Sequence, residues 1–485
     1  MGKKLSDILN GIDYTLISGN TDTQINSIKT DSRQAGENDL FVAIKGTQTD
    51  GHKYIHQALE KGASAVVCET CPETSQATII QVANSQVALA KLAANFYGNP
   101  SEQLTLIGVT GTNGKTTTAT TLYNLFKTLG YKAGLLSTVR YLIDGKELPA
   151  THTTPDAITI NKLLRQMVDA GCQYAFMEVS SHALSQHRTD FLDFDGAIFT
   201  NITHDHLDYH GTFKNYLYAK KTLFDNLKKD AFALVNADDR NAKIVVQNTK
   251  ANVYTYGLKN LADFRAKILE KHFDGTLVLI DNMETWINFA GNYNVQNILA
   301  VYATARLLGF EKNEILTAIS MLKPVDGRFE IFKQGDVTAI VDYAHTPDAL
   351  EKILNELRDI RSAGERIITV IGAGGNRDTQ KRPKMGKIAA TLSDVVILTS
   401  DNPRYEDPDG IIKQIKSGIP YDNIKNVLEI TDRKQAIKTA LTIARQGDIV
   451  LIAGKGHETY QEIKGVKHHF DDREIICEFF ENSKT

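Results

Sequence analysis

The sequence predicts an α/β fold of three domains whose sheets are mostly parallel. The chain has 485 residues, a length that suggests about three domains. Short apolar runs alternate with helical patterns over most of the chain, which is typical of parallel strands flanked by helices. Turn-rich segments interrupt this alternation near residues 99 and 325, so we place the domain boundaries there.

The first domain is predicted to be a small α/β unit spanning residues 1–98. Its strand-like runs include Asp39–Ile44 and Ala63–Val67. The helical pattern Gln86–Phe96 ends at Tyr97-Gly98-Asn99-Pro100, which is a strong helix stop. The next strand pattern begins just after this stop, which sets the boundary.

The second domain, residues 99–325, begins with a predicted phosphate-binding loop. The apolar run Leu104–Ile107 leads into GVTGTNGKTTT at 108–118, and a helical pattern follows from Thr117 to Leu129. Strand, glycine loop, Lys-Thr and helix form a P-loop, in which backbone N–H groups and the helix start face phosphate oxygens. Val109 stands where the strict pattern has glycine, so the loop is a variant. We predict a central domain like that of P-loop ATPases, with ATP contacts from Gly111, Thr112, Asn113, Gly114, Lys115, Thr116 and Thr117.

The third domain, residues 326–485, is predicted to have a dinucleotide-fold-like α/β architecture. The turn-rich segment Pro324–Arg328 separates it from the second domain. Its GxGxxG-like segment ends in Arg377 rather than glycine, so nicotinamide binding is only weakly indicated. Strand-like runs in the second domain are Tyr174–Val179, Gly196–Thr200 and Ala231–Val235, and those in the third are Thr338–Asp342, Arg366–Ile371, Asp394–Leu398 and Asp448–Ala453.

Composition excludes several function classes. The net charge of −3 gives no signal for nucleic-acid binding, and no run of about 18 apolar residues exists to span a membrane. The N-terminus lacks the apolar core of a signal peptide. Four cysteines are too few for a disulfide framework. We therefore expect a protein of the reducing cytoplasm that binds neither nucleic acid nor membranes.

The Cys68-Glu-Thr-Cys71 segment has two interpretations. A CxxC pair can serve redox chemistry or form half of a zinc site. No second CxxC or CxxH accompanies it, and it directly follows a predicted strand. Two thiols beside a strand end, without a chemical role, are the favoured interpretation.

Polar residues follow several predicted strands of the second domain, where ligands bind in parallel sheets. Glu178 could hold a Mg²⁺ that bridges nucleotide and substrate, or it could cap the next helix. Thr203–His210 contains three histidines and two aspartates, which suggests metal ligation. Spacing does not identify the metal, and a surface loop remains an alternative. Lys220 and Lys221 lie on a helical pattern, where composition favours a solvent-exposed face.

Four later residues are placed at predicted strand ends or loops, although each is also compatible with a turn. Arg328 could neutralise a transferring phosphoryl group. Asp342 could accept hydrogen bonds from ribose hydroxyls. Arg404 offers a planar fork for a carboxylate. Glu458 could receive an ammonium group.

These motifs, in this order, resemble the Mur ligase family, whose members are ATP-dependent enzymes that add amino acids to cell-wall precursors. The match runs over nearly the full length, and the combination is far more specific than any single motif. The segments that carry it are Thr30–Arg33, Asp39–Ile44, Gly111–Thr117, Thr153–Pro155, Glu178–His182, Asp205–His206 and Asp401–Arg404.

The resemblance implies that ATP phosphorylates the D-glutamate carboxylate of UDP-MurNAc-L-Ala-D-Glu, and that an amino acid's amine attacks the acyl phosphate. The segment Asp401–Arg404, Asp-Asn-Pro-Arg, is the pattern of members that add meso-diaminopimelate. This acceptor has a second carboxylate, absent from lysine, which a guanidinium can bind in two-point fashion. The alternatives are a ligase for another amino acid or dipeptide, a folylpolyglutamate synthase, and a nucleotide-gated binding protein without turnover.

The resemblance also implies roles for individual residues. The first domain would bind the UDP substrate, the second ATP and the third the amino acid, and we expect a monomer. One departure is Arg140, which is bulky where relatives often have a small residue. The implied catalytic residues are Lys115, Glu178, His206, Lys220 and Arg328. The implied Mg²⁺ ligands are Thr116, Glu178, His206 and Lys220, the last as a carbamate. Further ATP contacts would come from Asn294, Arg328, Asp342 and His345. The UDP-MurNAc-dipeptide contacts would be Ser32, Thr153, Thr154, Ser180, Gln186 and Arg188. The diaminopimelate contacts would be Arg377, Asp401, Asn402, Pro403, Arg404, Gly454 and Glu458.

Overall fold

The computed structural model describes residues 2–46, 49–72, 77–150 and 152–482. Its N-terminal part is a small α/β unit. The elements of this unit, in chain order, are β1 (Lys3–Lys4), α1 (Leu5–Ile8), β2 (Thr15–Ser18), β3 (Gln24–Ile25), β4 (Ser27–Lys29), β5 (Asp39–Val42), α2 (Ile55–Glu60), β6 (Ala65–Cys68), β7 (Thr78–Gln81) and α3 (Ser85–Phe96). The main sheet has the order β2-β7-β6-β5-β4. Strands β4 to β7 are parallel, and β2 pairs antiparallel at the edge.

The central part is built on a large twisted sheet with helices on its faces. Its elements are β8 (Thr105–Thr110), α4 (Lys115–Thr128), β9 (Ala133–Leu136), β10 (Arg140–Ile143), β11 (Lys146–Pro149), α5 (Ala157–Asp169), β12 (Tyr174–Glu178), α6 (Ser181–Ser185), β13 (Gly196–Phe199), α7 (Leu207–His210), α8 (Phe213–Asp225), β14 (Phe232–Asn236), α9 (Ala242–Val245), β15 (Asn252–Gly257), β16 (Phe264–Lys271), β17 (Thr276–Ile280), β18 (Met283–Ile287), α10 (Asn292–Leu307) and α11 (Lys312–Met321).

The strand order of this sheet is β11-β10-β9-β12-β8-β13-β14-β15-β16-β17-β18. The seven strands from β9 to β16 in that order are parallel, and antiparallel strands extend both edges. Strand β8 is central, and helices cover both faces of the sheet. This explains why the interior of β8, residues 106–109, is apolar without alternation. Phe126 and Phe176 pack in the core on one face, and Met167 and Met177 pack on the other.

The C-terminal part is a second, smaller α/β unit. Its elements are β19 (Glu330–Gln334), β20 (Val337–Asp342), α12 (Pro347–Ile360), β21 (Ile367–Ile371), α13 (Lys381–Leu392), β22 (Val395–Leu398), α14 (Pro408–Lys416), β23 (Val427–Glu429), α15 (Arg433–Ile443), β24 (Ile449–Ala453), β25 (Tyr460–Ile463), β26 (Val466–His469) and α16 (Asp472–Asn482). The sheet order is β19-β20-β24-β21-β22-β23, parallel except at β19. Strands β25 and β26 form a separate hairpin.

The α/β fold class with mostly parallel sheets is confirmed. Each of the three large sheets falls inside one of the ranges 1–98, 99–325 and 326–485, whose exact boundaries stay predictions. The P-loop strand runs to Thr110 and its helix begins at Lys115, two residues before the predicted start. Across the part of the chain that the structure describes, no helix combines the length and the apolarity needed to cross a bilayer.

Candidate functional site

The ends of the parallel strands in the central and C-terminal sheets open into the same cavity, which has a volume of about 1100 Å³. Its walls come from the P-loop and from the loops after β9, β12, β13, β20, β21, β22 and β24. Ligands bind at this edge of parallel sheets because strand ends and helix starts converge there. All the site residues expected from the sequence line this cavity except Gly111, Ser32 and Pro403.

Gly111 and Pro403 lie next to residues that line the cavity, whereas Ser32 lies away from it. The Gly111 carbonyl accepts hydrogen bonds from two lysines of the site, Lys115 at 2.9 Å and Lys220 at 2.7 Å. Pro403 is the residue between two lining residues, and its carbonyl packs directly on the neighbouring glycine loop. Ser32 belongs to the N-terminal unit, where its buried hydroxyl donates to Gln57 Oε1 at 2.6 Å.

The P-loop has the geometry of a phosphate cradle. Gly114 has φ of +88°, and a Cβ there would lie 2.5 Å from Asn297 Oδ1, so only glycine fits. Lys115 is the first residue of α4, and its Nζ donates to the Gly111 and Thr112 carbonyls at 2.9 and 2.8 Å. Burial lowers the pKa of Lys115. The start of a 14-residue helix therefore faces the cavity beside a buried amine.

Glu178 is a fully buried carboxylate at the end of β12. Its Oε2 accepts from Thr116 Oγ1 at 3.0 Å, and its Oε1 accepts from the Thr138 N–H at 2.7 Å. The next helix, α6, is capped instead by Ser180, whose Oγ accepts from the Ala183 N–H. The alternative that Glu178 is a helix cap is therefore wrong. The Thr116 hydroxyl and the Glu178 carboxylate are oxygen donors of the kind that Mg²⁺ prefers.

Thr138 and Arg328 complete the surroundings of this carboxylate. The sequence did not single out Thr138, which follows β9 and also donates its hydroxyl to Glu178 Oε2 at 3.2 Å. The only sequence feature that could have indicated Thr138 is its position just after an apolar strand. Arg328 Nη2 donates to Thr116 Oγ1 at 3.2 Å, and its guanidinium lies 4.4 Å from the Tyr343 ring centre. A cation thus reaches the P-loop from the start of the C-terminal unit.

Lys220 and Lys221 are both buried, so the solvent-exposed face favoured by composition is wrong. Helix α8 packs these residues inward together with Tyr216 and Phe224. Lys220 Nζ lies 4.7 Å from the Tyr216 ring centre, and its hydrogen bond is to the P-loop carbonyl of Gly111. Burial, reinforced by the charge of Lys115, holds the pKa of Lys220 well below its usual value. Lys221 pairs with Asp225 on the same helix.

The histidine-rich segment contributes one lining imidazole and one structural imidazole. His206 has φ of +54° and precedes α7, and its ring lies 4.9 Å from that of His182. Burial lowers the pKa of His206 to about 3 despite neighbouring Asp205, so its ring is neutral and able to ligate a metal. His210 hydrogen-bonds Ser181 Oγ at 3.0 Å. Within the described ranges no three of His, Cys, Asp and Glu are grouped to hold a metal, so other donors are needed.

The residues expected to contact the dipeptide form a connected wall. Arg188 donates from Nε and Nη2 to Gln186 Oε1 at 3.0 and 2.6 Å. Its Nη1 donates to the Thr154 carbonyl at 2.8 Å. The Thr154 hydroxyl donates to the Glu178 carbonyl and accepts from the Ser180 N–H. This network joins the wall to the strand that carries the buried carboxylate.

The opposite wall combines α10 with the end of β20. Asp342 Oδ2 accepts from the Phe329 N–H at 2.8 Å, and burial raises the pKa of Asp342 to about 6. Asn294 donates to the Ala290 carbonyl at 2.8 Å. His345 Nδ1 donates to the Tyr343 carbonyl at 2.8 Å, and burial lowers the pKa of His345 to about 4.

Asp238 is a lining residue of this wall that the sequence did not indicate. Its carboxylate accepts from the N–H groups of Leu258 and Asn260, each at 2.8 Å, and from Gln296 Nε2 at 3.0 Å. The acceptor thus anchors the loop after β15 to the end of β14. An aspartate just after a strand was the only sequence signal, and it is a weak one.

The C-terminal sheet contributes a wall of mixed charge. Arg404 has φ of +52°, its Nη1 donates to the Gly375 carbonyl at 2.8 Å, and its Nε lies 3.3 Å from Glu462 Oε2. Asn402 Nδ2 donates to Glu458 Oε2 at 2.8 Å. The sequence did not indicate two lysines here: Lys381, which lines this wall, and Lys455, which lies buried behind it and contacts Glu458. The expected residues present on the wall are Arg377, Asp401, Asn402, Arg404, Gly454 and Glu458.

The bulky Arg140 is accommodated because its side chain points away from the β9–β10 turn. The Ser137 hydroxyl donates to the Arg140 carbonyl at 2.9 Å and closes that turn. The guanidinium pairs with Asp326 and lies 3.5 Å from Glu147. Arg140 therefore contacts the segment that leads into the C-terminal unit, without disturbing Thr138.

The two cysteines of the CxxC segment carry free thiols. Cys68 is buried at the end of β6, and its Sγ lies 3.3 Å from Cys71 Sγ. Neither lines the cavity. This is the arrangement of two thiols beside a strand end that the sequence favoured.

Comparison with known proteins identifies the family. Three family models match in chain order: the Mur ligase family, catalytic domain at 24–97, the Mur ligase middle domain at 109–305, and the Mur ligase, glutamate ligase domain at 327–456. The chain belongs to the Mur ligase family. A Phocaeicola vulgatus protein named UDP-N-acetylmuramoyl-L-alanyl-D-glutamate--2,6-diaminopimelate ligase is 53% identical over 482 residues, which cover 99% of this chain and 100% of that one.

Two further relatives of this Mur ligase have the same name. The Bacteroides fragilis protein is 53% identical over 481 residues, covering 98% of this chain and 99% of that one. A solved structure entitled "Structure of UDP-N-acetylmuramoyl-L-alanyl-D-glutamate--2, 6-diaminopimelate ligase" superposes with a TM-score of 0.69 and 31% identity, covering 100% of both chains. The three-domain Mur ligase architecture therefore extends over the whole chain.

Proposed function

We propose that this Mur ligase joins meso-2,6-diaminopimelate to the D-glutamate of UDP-MurNAc-L-Ala-D-Glu at the expense of ATP, in peptidoglycan precursor synthesis. One observation carries the proposal. The same cavity is lined by a P-loop, by the buried oxygen donors of Thr116 and Glu178, and by the wall of mixed charge that includes Arg404. The names of the relatives support the choice of substrates.

The proposed chemistry has two steps. A carboxylate is a poor electrophile, so the γ-phosphoryl group of ATP is first transferred to the D-glutamate γ-carboxylate, which yields ADP and an acyl phosphate. The amine of diaminopimelate then attacks the acyl carbon, forms the amide, loses a proton and expels inorganic phosphate. Lys115 and Arg328 flank Thr116 and supply positive charge where phosphate charge develops.

The side chains present fit a Mg²⁺ site. Thr116 Oγ1 and Glu178 Oε2 are 3.0 Å apart, and the imidazole of His206 is neutral. These three residues, with Lys220 as a carbamate, would hold Mg²⁺ on the phosphate side of the cavity. When bound, the ion neutralises charge shared by ATP and the acyl phosphate.

The surroundings of Lys220 favour carbamate formation. An uncharged amine is the form that adds CO₂, and burial beside Lys115 favours the uncharged form. No carboxylate contacts Lys220 Nζ among the residues that the structure describes; its hydrogen-bond acceptor is the Gly111 carbonyl. A carbamate would convert this amine into an anionic oxygen donor suited to Mg²⁺.

Three subsites follow from the walls of the cavity. We assign the dipeptide to the wall built from Thr153, Thr154, Ser180, Gln186 and Arg188, with Ser32 of the N-terminal unit contacting the UDP portion. ATP takes the P-loop and the wall with Asn294, Arg328, Asp342 and His345. Diaminopimelate takes the wall with Arg377, Asp401, Asn402, Arg404, Gly454 and Glu458.

The cellular setting follows from the proposed substrates. ATP and nucleotide-linked precursors are cytoplasmic compounds, so we place the enzyme in the cytoplasm. We also propose that the enzyme works as a monomer, because every residue assigned to the three subsites can come from a single copy of the chain.

The test is an acceptor assay on the purified full-length chain with UDP-MurNAc-L-Ala-D-Glu, ATP and Mg²⁺. Meso-diaminopimelate, L-lysine and D-Ala-D-Ala are supplied separately, and the products are identified by mass spectrometry. We expect phosphate release and a product enlarged by diaminopimelate. A preference for lysine or D-Ala-D-Ala would overturn the acceptor assignment. Phosphate release without any ligated product would overturn the ligase proposal.

A further inference from the structure

Lys455 is a fully buried lysine on the wall assigned to the incoming amino acid. Its Nζ donates to Glu458 Oε2 at 3.1 Å and to Asn402 Oδ1 at 3.2 Å. It follows Gly454 at the end of β24, and the Glu458 N–H donates to its carbonyl at 3.0 Å. One ammonium group therefore joins two residues that line the cavity from different loops.

Burying a lysine is costly unless its charge is paired and its hydrogens are bonded. Lys455 itself does not line the cavity, so the charge is unavailable for direct contact with a phosphate or a carboxylate. Its contacts instead complete a small network, since Asn402 also donates to Glu458 Oε2 at 2.8 Å. The Glu462 N–H donates to Asn402 Oδ1 at 2.9 Å and ties the network to the β25–β26 hairpin.

The charge of Lys455 offsets an unfavourable environment around Glu458. Glu458 faces Asp401, and the burial of Glu458 together with this carboxylate raises the pKa of Glu458. Lys455 and the Asn402 amide act in the opposite direction. The other charged and titratable groups that face Glu458 are Arg433, fully buried and paired with Asp472, and the phenols of Tyr343 and Tyr460.

We propose that Lys455 is a positioning residue that keeps Glu458 ionised and oriented, so that Glu458 can receive the ammonium group of the incoming amino acid. The inference rests on the proposed function of this wall. It adds a residue that acts through Glu458 and not through direct contact with the substrate. A neutral Glu458 would accept far less favourably from an ammonium group, because the charge-assisted hydrogen bond would be lost.

The chain offers a matched control for this lysine. Lys455 and Lys467 both lie near the Tyr460 ring, with Nζ at 5.5 and 4.1 Å from its centre. Lys467 is exposed on β26 and contacts neither Glu458 nor the cavity. Removing either charge alters a contact with the same aromatic ring, but only the loss of Lys455 also removes the ion pair with Glu458.

The experiment compares Lys455→Met, Lys467→Met and the wild type in the ligation assay between pH 6.5 and 9. For Lys455→Met we expect KM for the acceptor to rise about tenfold at pH 6.5, which corresponds to a variant in which only about a tenth of the Glu458 side chains remain ionised at that pH. The ratio to the wild-type KM should fall toward about two at pH 9, because alkaline pH restores the Glu458 carboxylate. KM for ATP should stay within about twofold, and Lys467→Met should match the wild type at every pH.

A second pair of variants separates this effect from a folding defect. The side chain introduced by Glu458→Gln cannot titrate, so the ratio of its acceptor KM to the wild-type KM should be above one and independent of pH. In the double variant Glu458→Gln/Lys455→Met, the loss of the lysine should add no pH-dependent change to this ratio. A Lys455→Met ratio that is constant with pH, or unchanged acceptor KM, overturns the inference while leaving the ligase proposal intact. If lysine is the acceptor used, the same comparison applies, since lysine, like diaminopimelate, has a second amine that can remain an ammonium group while the other is acylated. A wild type that ligates none of the acceptors overturns both.

Discussion

Glu178 has no exposed surface, and a buried carboxylate is stable only when donors surround it. Thr116 at the start of α4 and Thr138 in the loop after β9 supply these donors. Lys220 presents the reverse situation, because its buried amine has a carbonyl as its acceptor and another lysine nearby. At the scale of single residues, the cavity therefore brings together groups whose charge states depend on one another.

The role assigned to Lys220 predicts chemical rescue. Lys220→Ala should lower kcat by at least about 100-fold, because the anionic oxygen donor is lost. Added formate or acetate should restore part of this loss by occupying the vacated space. Lys221→Ala is the control: it removes the neighbouring buried lysine, whose partner is Asp225, and no carboxylate should rescue it. Rates of Lys220→Ala that do not respond to small carboxylates would contradict the carbamate.

The role assigned to Arg404 predicts a selective loss. Arg404→Ala should raise KM for diaminopimelate by about 100-fold, since truncating one partner of a buried charge pair costs about 2–5 kcal/mol. KM for ATP should change by less than about twofold. Tyr405→Ala, at the adjacent exposed position outside the cavity, should behave like the wild type. Equal losses for both substrates, measured by initial rates, would rule out the assigned specificity role.

At the scale of elements, the site depends on loops that immediately follow strands. The loop after β15 is held by Asp238, which accepts backbone N–H groups from three consecutive residues, 258–260. A second carboxylate in the same connection, Asp263, accepts from Thr255 but lies outside the cavity. Asp238 and Asp263 therefore both accept hydrogen bonds from this connection, but only Asp238 lines the cavity.

We expect Asp238→Ala to raise KM for ATP about tenfold, because the loop that forms part of the cavity wall loses its anchor. The free energy of unfolding should fall by about 1–3 kcal/mol, because several hydrogen bonds to a charged acceptor are lost. Asp263→Ala should lower stability without changing KM for ATP. Both quantities can be read from urea unfolding and steady-state kinetics. An unchanged KM in Asp238→Ala would remove this loop from the ATP site.

At the scale of the whole molecule, the central and C-terminal parts contact each other across the cavity. Asn113 of the P-loop donates to Asp348 Oδ2 at 2.8 Å. Glu356 of α12 accepts from the Asn292 N–H at 3.0 Å, and its other oxygen lies 2.9 Å from Lys271 Nζ. The nucleotide wall is therefore complete only when these two parts are together.

Asp348→Ala should weaken this closed arrangement, since the hydrogen bond to the P-loop residue Asn113 is lost. We expect a larger radius of gyration in solution scattering and a kcat reduced about tenfold, because the two halves of the site meet less often. Glu351→Ala, an exposed position on the same helix, should leave both values unchanged. Identical scattering and kcat for the two variants would show that this contact does not control closure.

Local chemistry explains which features could be predicted from the sequence. Gly114, Lys115 and Thr116 form a loop whose conformation depends on neighbours in the chain, so the P-loop was recognisable before the structure. Continuous apolar runs predicted the buried parallel strands for the same reason. The fold class and the cavity edge follow from these local patterns, because parallel strands end at a common edge.

Burial and pairing across the chain could not be obtained in this way. Lys220 and Lys221 look like surface residues until α8 packs them against the sheet, and Lys455 gains one of its partners, Asn402, from a loop 53 residues away in sequence. Ser32, by contrast, is held in the N-terminal unit away from the cavity. Side chains this distant along the chain meet only after the sheets assemble, and their charge states depend on what then surrounds them.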